Sequence, residues 1–527
     1  MQILYNANIY PTASIESQHT AIAIENERVI AIGNDEEILG LSRPGCRIAD
    51  LQGKTILPGL TDSHIHLSLY AQSLEKINCE TKTKQACLDR IAEKAHKIKP
   101  GEWIIGHGWN QNNWPEGFGC AADLDAIAPN NPVYLTDKAI HSGWVNSLAL
   151  QLAGITNQTP NPSGGLIHRD SSGAPTGILF ETAMFLIEAA IPPLHPENLA
   201  KLISRAQQEL WKFGITAAHD FDELSCFEAL QLLHQRDELK LRVIKGIPEY
   251  ALQTALDMRL QTGFGDAMLR IGSLKLFADG ALGPHTAAML DAYSDDPNNF
   301  GVLIGDSQHF YPILETAAKN RLAVAVHAIG DRANREVLDA YARLRDYEAK
   351  NQLPRLPHRI EHVQIIQPQD QNRLVQLGIT ASMQPIHATS DMFTCDRCWG
   401  ERSKFAYAFK DLLDKGTRLI FGSDAPVESP NPFIGIHAAV TRRRPDGSPG
   451  TEGWYPQQKL DLSTTLKAYT STPASIYGRQ FEQGSLTPGC FADLILLDQD
   501  PFKASAEDLH FLAPSGTMVA GEWVWNL

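Results

Sequence analysis

The sequence predicts a (β/α)8 barrel of the TIM type, carrying a small β-sandwich accessory domain built from both chain ends. Three observations carry this expectation. The middle of the chain alternates short, almost wholly apolar runs with helical patterns, the signature of a parallel sheet covered on both faces. Both ends show β-like runs broken by Gly and Asn turns. Ionisable residues recur at the C-terminal ends of the apolar runs, the face on which barrels place chemistry.

In chain order, residues 1–56 carry Thr20-Ala21-Ile22-Ala23-Ile24 and Arg28-Val29-Ile30-Ala31-Ile32, two strand-like runs separated by a turn. The apolar runs of the middle fall at 56–60 leading into His64, then 214–219, 241–247, 271–277, 322–328, 358–363, 379–384 and 418–423. Helix-like segments such as Glu197 to Phe213, Arg332 to Ala349 and Lys404 to Lys415 lie between them. No Gly-rich dinucleotide fingerprint follows any strand, which disfavours an open doubly wound sheet. Residues 70–200 break the rhythm and are rich in Trp, Asn, Pro and Gly, so they read as an insertion after the first barrel strand. Strand-like runs return at Ala492 to Leu497 and Met518 to Trp525. The expected organisation is therefore 1–56 plus 480–527 as the β-sandwich and 57–479 as the barrel, with 70–200 inserted near its mouth.

Composition narrows the function. A net charge of −15 argues against a nucleic-acid binder, which needs clustered Lys and Arg. No apolar segment is long enough to span a bilayer, and the N-terminus lacks the basic region of a signal peptide. Eight cysteines, mostly scattered singly, match a reducing cytoplasm. Cys395-x-x-Cys398 is the exception, but a zinc ribbon needs a second such pair, so it reads as loop or helix-end thiols.

The chemistry begins at Leu57-Pro58-Gly59-Leu60-Thr61-Asp62-Ser63-His64-Ile65-His66. On a strand, period two turns His64 and His66 the same way, a start for a divalent metal site; a packed, hydrogen-bonded pair has the same spacing. Lys275 sits inside an apolar run, while His327, His362 and Asp424 end three others. Singly, each histidine could be structural, the lysine could pair with a buried carboxylate, and Asp424 could cap a helix. Their shared placement at one face favours a site.

These residues, with Val326-His327-Ala328, Ile360-Glu361-His362 and Phe421-Gly422-Ser423-Asp424-Ala425-Pro426, resemble the amidohydrolase superfamily. The resemblance is to its family-3 branch, which includes deformylases of N-substituted formamides. Gly108-Trp109-Asn110-Gln111, His141 to Asn146, Leu276 to Gly280 and the tail from Gly484 to Leu494 extend it over essentially the whole chain. It implies that His64, His66, His327, His362 and Asp424 hold one or two divalent ions, zinc first. It also implies that Lys275 bridges two ions as a CO2-derived carbamate, with one ion as the alternative. Asp424 would shuttle the proton while metal-activated water hydrolyses a non-peptide C–N bond of a small amide or N-substituted formamide. A cyclic amidase or deaminase on the same core, and a non-catalytic binding protein on this scaffold, are the other readings. His107, Trp109, Asn110, His141, Trp144, Asn146, His219 and Asp279 are candidate substrate contacts, with packing, capping or turn roles as their alternatives. No membrane or nucleic-acid partner is expected, and a homo-oligomer is compatible with the barrel.

Overall fold

The computed structural model describes residues 1–15, 19–111, 114–137, 142–162, 164–192 and 194–526. The chain divides into two units, Met1–Tyr70 with Pro196–Leu527, and Ala71–His195.

In the first unit, eight parallel strands follow one another around a sheet: β1 Leu60–Ile65, β2 Ile215–Asp220, β3 Arg242–Pro248, β4 Leu269–Phe277, β5 Val324–Ala328, β6 Arg359–His362, β7 Thr380–Met383 and β8 Leu419–Phe421. Each pairs in register with the next, as in Ala325 opposite Arg359 and Ile360 opposite Ala381. Runs such as Ala323 to Val326 are fully buried because the barrel interior covers one face and helices the other. Those helices are amphipathic. Pro196–Lys212 buries Leu199, Ala200, Ile203, Ala206, Gln207 and Leu210, a stripe at helical spacing. Pro368–Leu377 starts on proline and stops at Gly378, whose φ of 64° suits a residue without Cβ.

The barrel closes through side chains at its seam. Asp62 of β1 accepts hydrogen bonds from Ser423 N and Oγ, just beyond β8. Gly422 makes this approach possible, since a Cβ there would lie 2.4 Å from His64 N and 2.7 Å from Asp62 Oδ1.

Two runs differ from the sequence reading. The 56–60 run is not one strand with His64: Thr55–Pro58 pairs with Leu494–Leu497, and the barrel strand starts at Leu60 after the Pro58-Gly59 joint. The Lys404 to Lys415 pattern splits into a 3-10 turn, Gly400–Phe405, and a short helix, Phe409–Asp414. Tyr407 makes the break with φ of 48°, held there by its backbone N–H on Gln364 O and its hydroxyl on Asp391.

The chain ends form two sheets. One runs in the order Arg28–Gly33, Ala21–Glu25, Gln2–Tyr5, Arg47–Asp50; the other in the order Asn8–Ile9, Thr55–Pro58, Leu494–Leu497, Pro514–Val519, Glu522–Asn526. Leu4, Ile22, Ile24 and Val29 of the first share a core with Ile56, Leu494, Leu496 and Met518 of the second. Buried Arg242 on β3 grips Asp493 through Nε at 2.6 Å and Nη2 at 3.0 Å, fixing the C-terminal strands to the barrel.

The second unit holds its own six-stranded sheet and two apolar clusters. Among the described residues no helix is long and apolar enough to cross a membrane.

Candidate metal centre

Lys275 lies on β4, His64 on β1, His327 on β5 and His362 at the end of β6, while His66 and Asp424 sit just beyond β1 and β8. The backbone stitches the two outermost turns together: Asp424 N donates to His64 O at 2.7 Å and His66 N to Ala425 O at 3.0 Å. His362 and Asp424 hold left-handed backbone, φ 72° and 61°. Such geometry costs a non-glycine residue about 1–3 kcal/mol and persists where the surroundings over-determine it.

The donors converge. Asp424 Oδ1 lies 3.4 Å from Nε2 of both His64 and His66. The His64 ring centre is 5.7 Å from that of His66 and 4.9 Å from that of His362, and His362 is 4.6 Å from His327. Each imidazole turns its other nitrogen to an oxygen. His64 Nδ1 donates to Glu361 Oε2 at 2.6 Å, His66 Nδ1 to Asp222 Oδ1 at 3.0 Å, and His362 Nδ1 to Gln384 Oε1 at 2.9 Å. His327 donates from Nε2 to Gly280 O at 2.9 Å. Carboxylate and carbonyl oxygens only accept, so these nitrogens carry the ring protons; the remaining nitrogen of His64, His327 and His362 keeps its lone pair, and that of His66 is freed when an ion displaces its proton. Four imidazoles, one carboxylate and outer oxygens that fix the tautomers form a donor set that fits a divalent transition metal.

Electrostatics follow from burial and mutual charge. Burial, then the Lys275 charge, pushes His64 and His327 down to about 4. Burial works against a charge on His66 as well, but the carboxylates of Asp222 and Asp424 outweigh it and lift that ring to about 9. Burial opposes charge on Asp424 too, yet the surrounding imidazoles hold its carboxyl well below the usual range. Lys275 is buried with its Nζ 4.6 Å from the Phe221 ring centre and 5.1 Å from that of Phe277, and burial brings it down to about 8.

Several positioning residues were not singled out from sequence. Arg359 chelates Glu361 through Nε at 2.5 Å and Nη2 at 2.8 Å, and also holds Ser63 O and Ser382 Oγ. Asp62, Asp222 and Gln384 complete the set. Glu361 and Asp62 stood within the quoted motifs, but nothing local identifies their partners.

The candidate substrate contacts fall differently. His219 is buried, with Nδ1 2.9 Å from Arg359 Nη1 and its ring edge-on to Tyr477. Asp279 accepts from Ala288 N, Ile329 N and Gly330 N and backs His327 at 3.6 Å, which makes it an anchor of the turns after β4 and β5. Within the inserted unit, Trp109 and Trp144 are core residues whose indoles donate to Leu135 O and Cys120 O. Asn146 caps Ser147–Leu152 and uses its amide on Ala128 O and Asn131 O. Packing and capping, the alternatives open in the sequence, describe the contacts that Trp109, Trp144 and Asn146 make. His107 bonds Thr136 Oγ1 at 2.8 Å, and Asn110 follows the strand Ile104–Trp109. His141 lies outside the described residues.

Residues 47–525 match the model of the Amidohydrolase family. Protein LONG AFTER FAR-RED 3 of Arabidopsis thaliana is 32% identical over 96% of this chain and 88% of its own length. N-substituted formamide deformylase of Arthrobacter pascens is 28% identical over 98% of this chain and 97% of its own. An uncharacterized metal-dependent hydrolase from Pyrococcus horikoshii OT3 superimposes with a TM-score of 0.81 at 29% identity, covering 96% of this chain and 99% of that one.

Proposed function

Given that this chain belongs to the amidohydrolase family, we propose that it hydrolyses a non-peptide C–N bond, that of an amide or N-substituted formamide. Its family and its structural neighbours make it a metal-dependent hydrolase. The observation that carries the reading is the convergence of the His64 and His66 imidazoles on Asp424 at the barrel mouth, with the His362 ring 4.9 Å from that of His64 and the His327 ring 4.6 Å from that of His362. A full-length relative named for formamide deformylation supports the choice of bond.

His64, His66, His327, His362 and Asp424 would hold one or two divalent ions, zinc being favoured by imidazole and carboxylate donors. Lys275, which burial brings down to about 8 against the opposing charges of Glu361 and Asp424, would react with CO2 as the neutral amine, releasing a proton, and the carbamate so formed would join the ligands. When bound, the ion polarises the substrate carbonyl and brings the pKa of water to about 7. Asp424 accepts the attacking water's proton at its carboxylate and returns a proton to the leaving nitrogen. Glu361, Asp222, Gln384 and the Gly280 carbonyl keep the imidazoles oriented throughout.

The test is metal analysis of protein purified without chelators, with a screen of N-formyl, N-acyl and cyclic amides. The expected result is bound transition metal and turnover of a formamide or amide, lost by about 100-fold or more in Asp424→Asn. No C–N hydrolysis by zinc-loaded protein, with turnover of another bond class, would overturn the reading.

A further inference from the structure

A second cluster of metal-type donors stands apart from the barrel-mouth set. His285 belongs to the long connection after β4, as does Asp295, and Cys398 lies on the helix Met392–Trp399 that follows β7. His285 Nε2 is 3.0 Å from Cys398 Sγ and 3.3 Å from Asp295 Oδ2, and Cys398 Sγ is 3.5 Å from the same Asp295 oxygen. We propose that His285, Asp295 and Cys398 form a separate zinc-class site that clamps the connection after β4 to the helix after β7.

Convergence separates this arrangement from a nucleophile relay. In a Cys-His-acid relay the thiol and the carboxylate meet opposite nitrogens of the imidazole. Here both meet Nε2, so all three donors face one point. Zinc bonds of about 2.3 Å to sulfur and about 2.0 Å to nitrogen or oxygen place tetrahedral donors about 3.3–3.6 Å apart. The Asp295 separations already match, and the imidazole–sulfur distance needs to open by about half an ångström. A thiolate, an imidazole and one carboxylate select a borderline or soft ion over calcium or magnesium.

The surroundings supply the scaffold. Ser294 N donates to Cys398 O at 2.8 Å, tying the two segments beside the donors. The Tyr293 ring packs against His285 at 4.6 Å. Cys398 is fully buried whereas His285 and Asp295 are 27% and 23% exposed, so the fourth position faces solvent and suits a water. The nearest cation is the largely exposed Arg397, whose Nε lies 3.3 Å from Asp295 Oδ2. Its guanidinium competes with an ion for that oxygen, and can swing out into water.

Cobalt(II) titrated into the full-length, metal-stripped chain tests the site, because sulfur-to-cobalt charge transfer in the near ultraviolet reports thiolate ligation alone. None of the barrel-mouth donors is a thiol, so the readout is independent of catalysis and of the proposed function. The band is expected in the native chain and is lost in Cys398→Ser and in His285→Asn, with the visible d–d bands of the other site retained. Arg397, which also donates from Nη2 to Cys398 Sγ at 3.9 Å, is not itself a metal ligand or a buried group, so Arg397→Gln should fold normally; it is expected to lower the cobalt concentration at half-saturation several-fold. No band in the native chain, a band that survives either ligand substitution, or weaker binding by Arg397→Gln overturns the assignment.

Discussion

Asp62 and Ser423 join the first and last barrel strands. Ser423 donates its hydroxyl to Oδ2 at 2.5 Å and its backbone N–H to Oδ1 at 3.0 Å, while His64 N reaches the same Oδ1 at 3.1 Å. One buried carboxylate thus locks the seam and orients the backbone at His64. Asp62→Ala would strand three buried donors at about 1–3 kcal/mol each. The expected outcome is a loss of roughly 3 kcal/mol or more in denaturant unfolding together with weaker metal retention. Unchanged stability would remove Asp62 from the seam.

Glu361 stands between two cationic or polar partners, receiving His64 Nδ1 on one side and Arg359 on the other. Glu361→Gln leaves Arg359 buried without a counter-charge and lets the His64 ring turn. Metal affinity should fall about 10- to 100-fold, as for other outer partners of ligating histidines. Competition with a chromophoric chelator measures it. Equal affinity would show that Glu361 does not orient His64.

The Arg242–Asp493 pair is the buried ionic link between β3 and the C-terminal strands, its side chains 3% and 5% exposed. Asp493→Ala should cost about 3–5 kcal/mol because it leaves a buried guanidinium unpaired. The double substitution Arg242→Met, Asp493→Leu should recover much of that loss. A double-mutant cycle with no coupling would contradict the assignment.

His437 is buried in the helix Pro432–Thr441 with its ring 4.7 Å from that of His510. Burial, then the neighbouring His510, pushes it down from 6.5 to about 4. Its folded state is therefore neutral, while the unfolded state takes up a proton below about pH 6.5. The contribution is present above pH 6.5 and is lost as pH falls toward 4, at about 1.4 kcal/mol per unit. His437→Gln should flatten the stability profile across that window. Parallel profiles for the two proteins would refute it.

Much of the architecture was legible because strand period and apolar run length are local. Seven of the eight runs found in sequence lie within a few residues of β2 to β8. The exception, 56–60, carried Pro58 and Gly59, and only its pairing with Leu494–Leu497 shows that its first half belongs to another sheet. In the inserted unit, Trp109 and Trp144 donate to Leu135 O on the neighbouring strand and to Cys120 O before a helix, partners that an indole in the sequence does not announce.

By itself the sequence determined the parallel barrel and which ionisable side chains stand at its C-terminal face, because alternation and burial act over a few residues. The tertiary structure decided what holds them. Glu361 meets His64 across 297 positions, Ser423 meets Asp62 across 361, and Cys398 meets His285 across 113. Such partners are brought together by barrel closure and loop packing, and nothing in the spacing between them along the chain records the meeting.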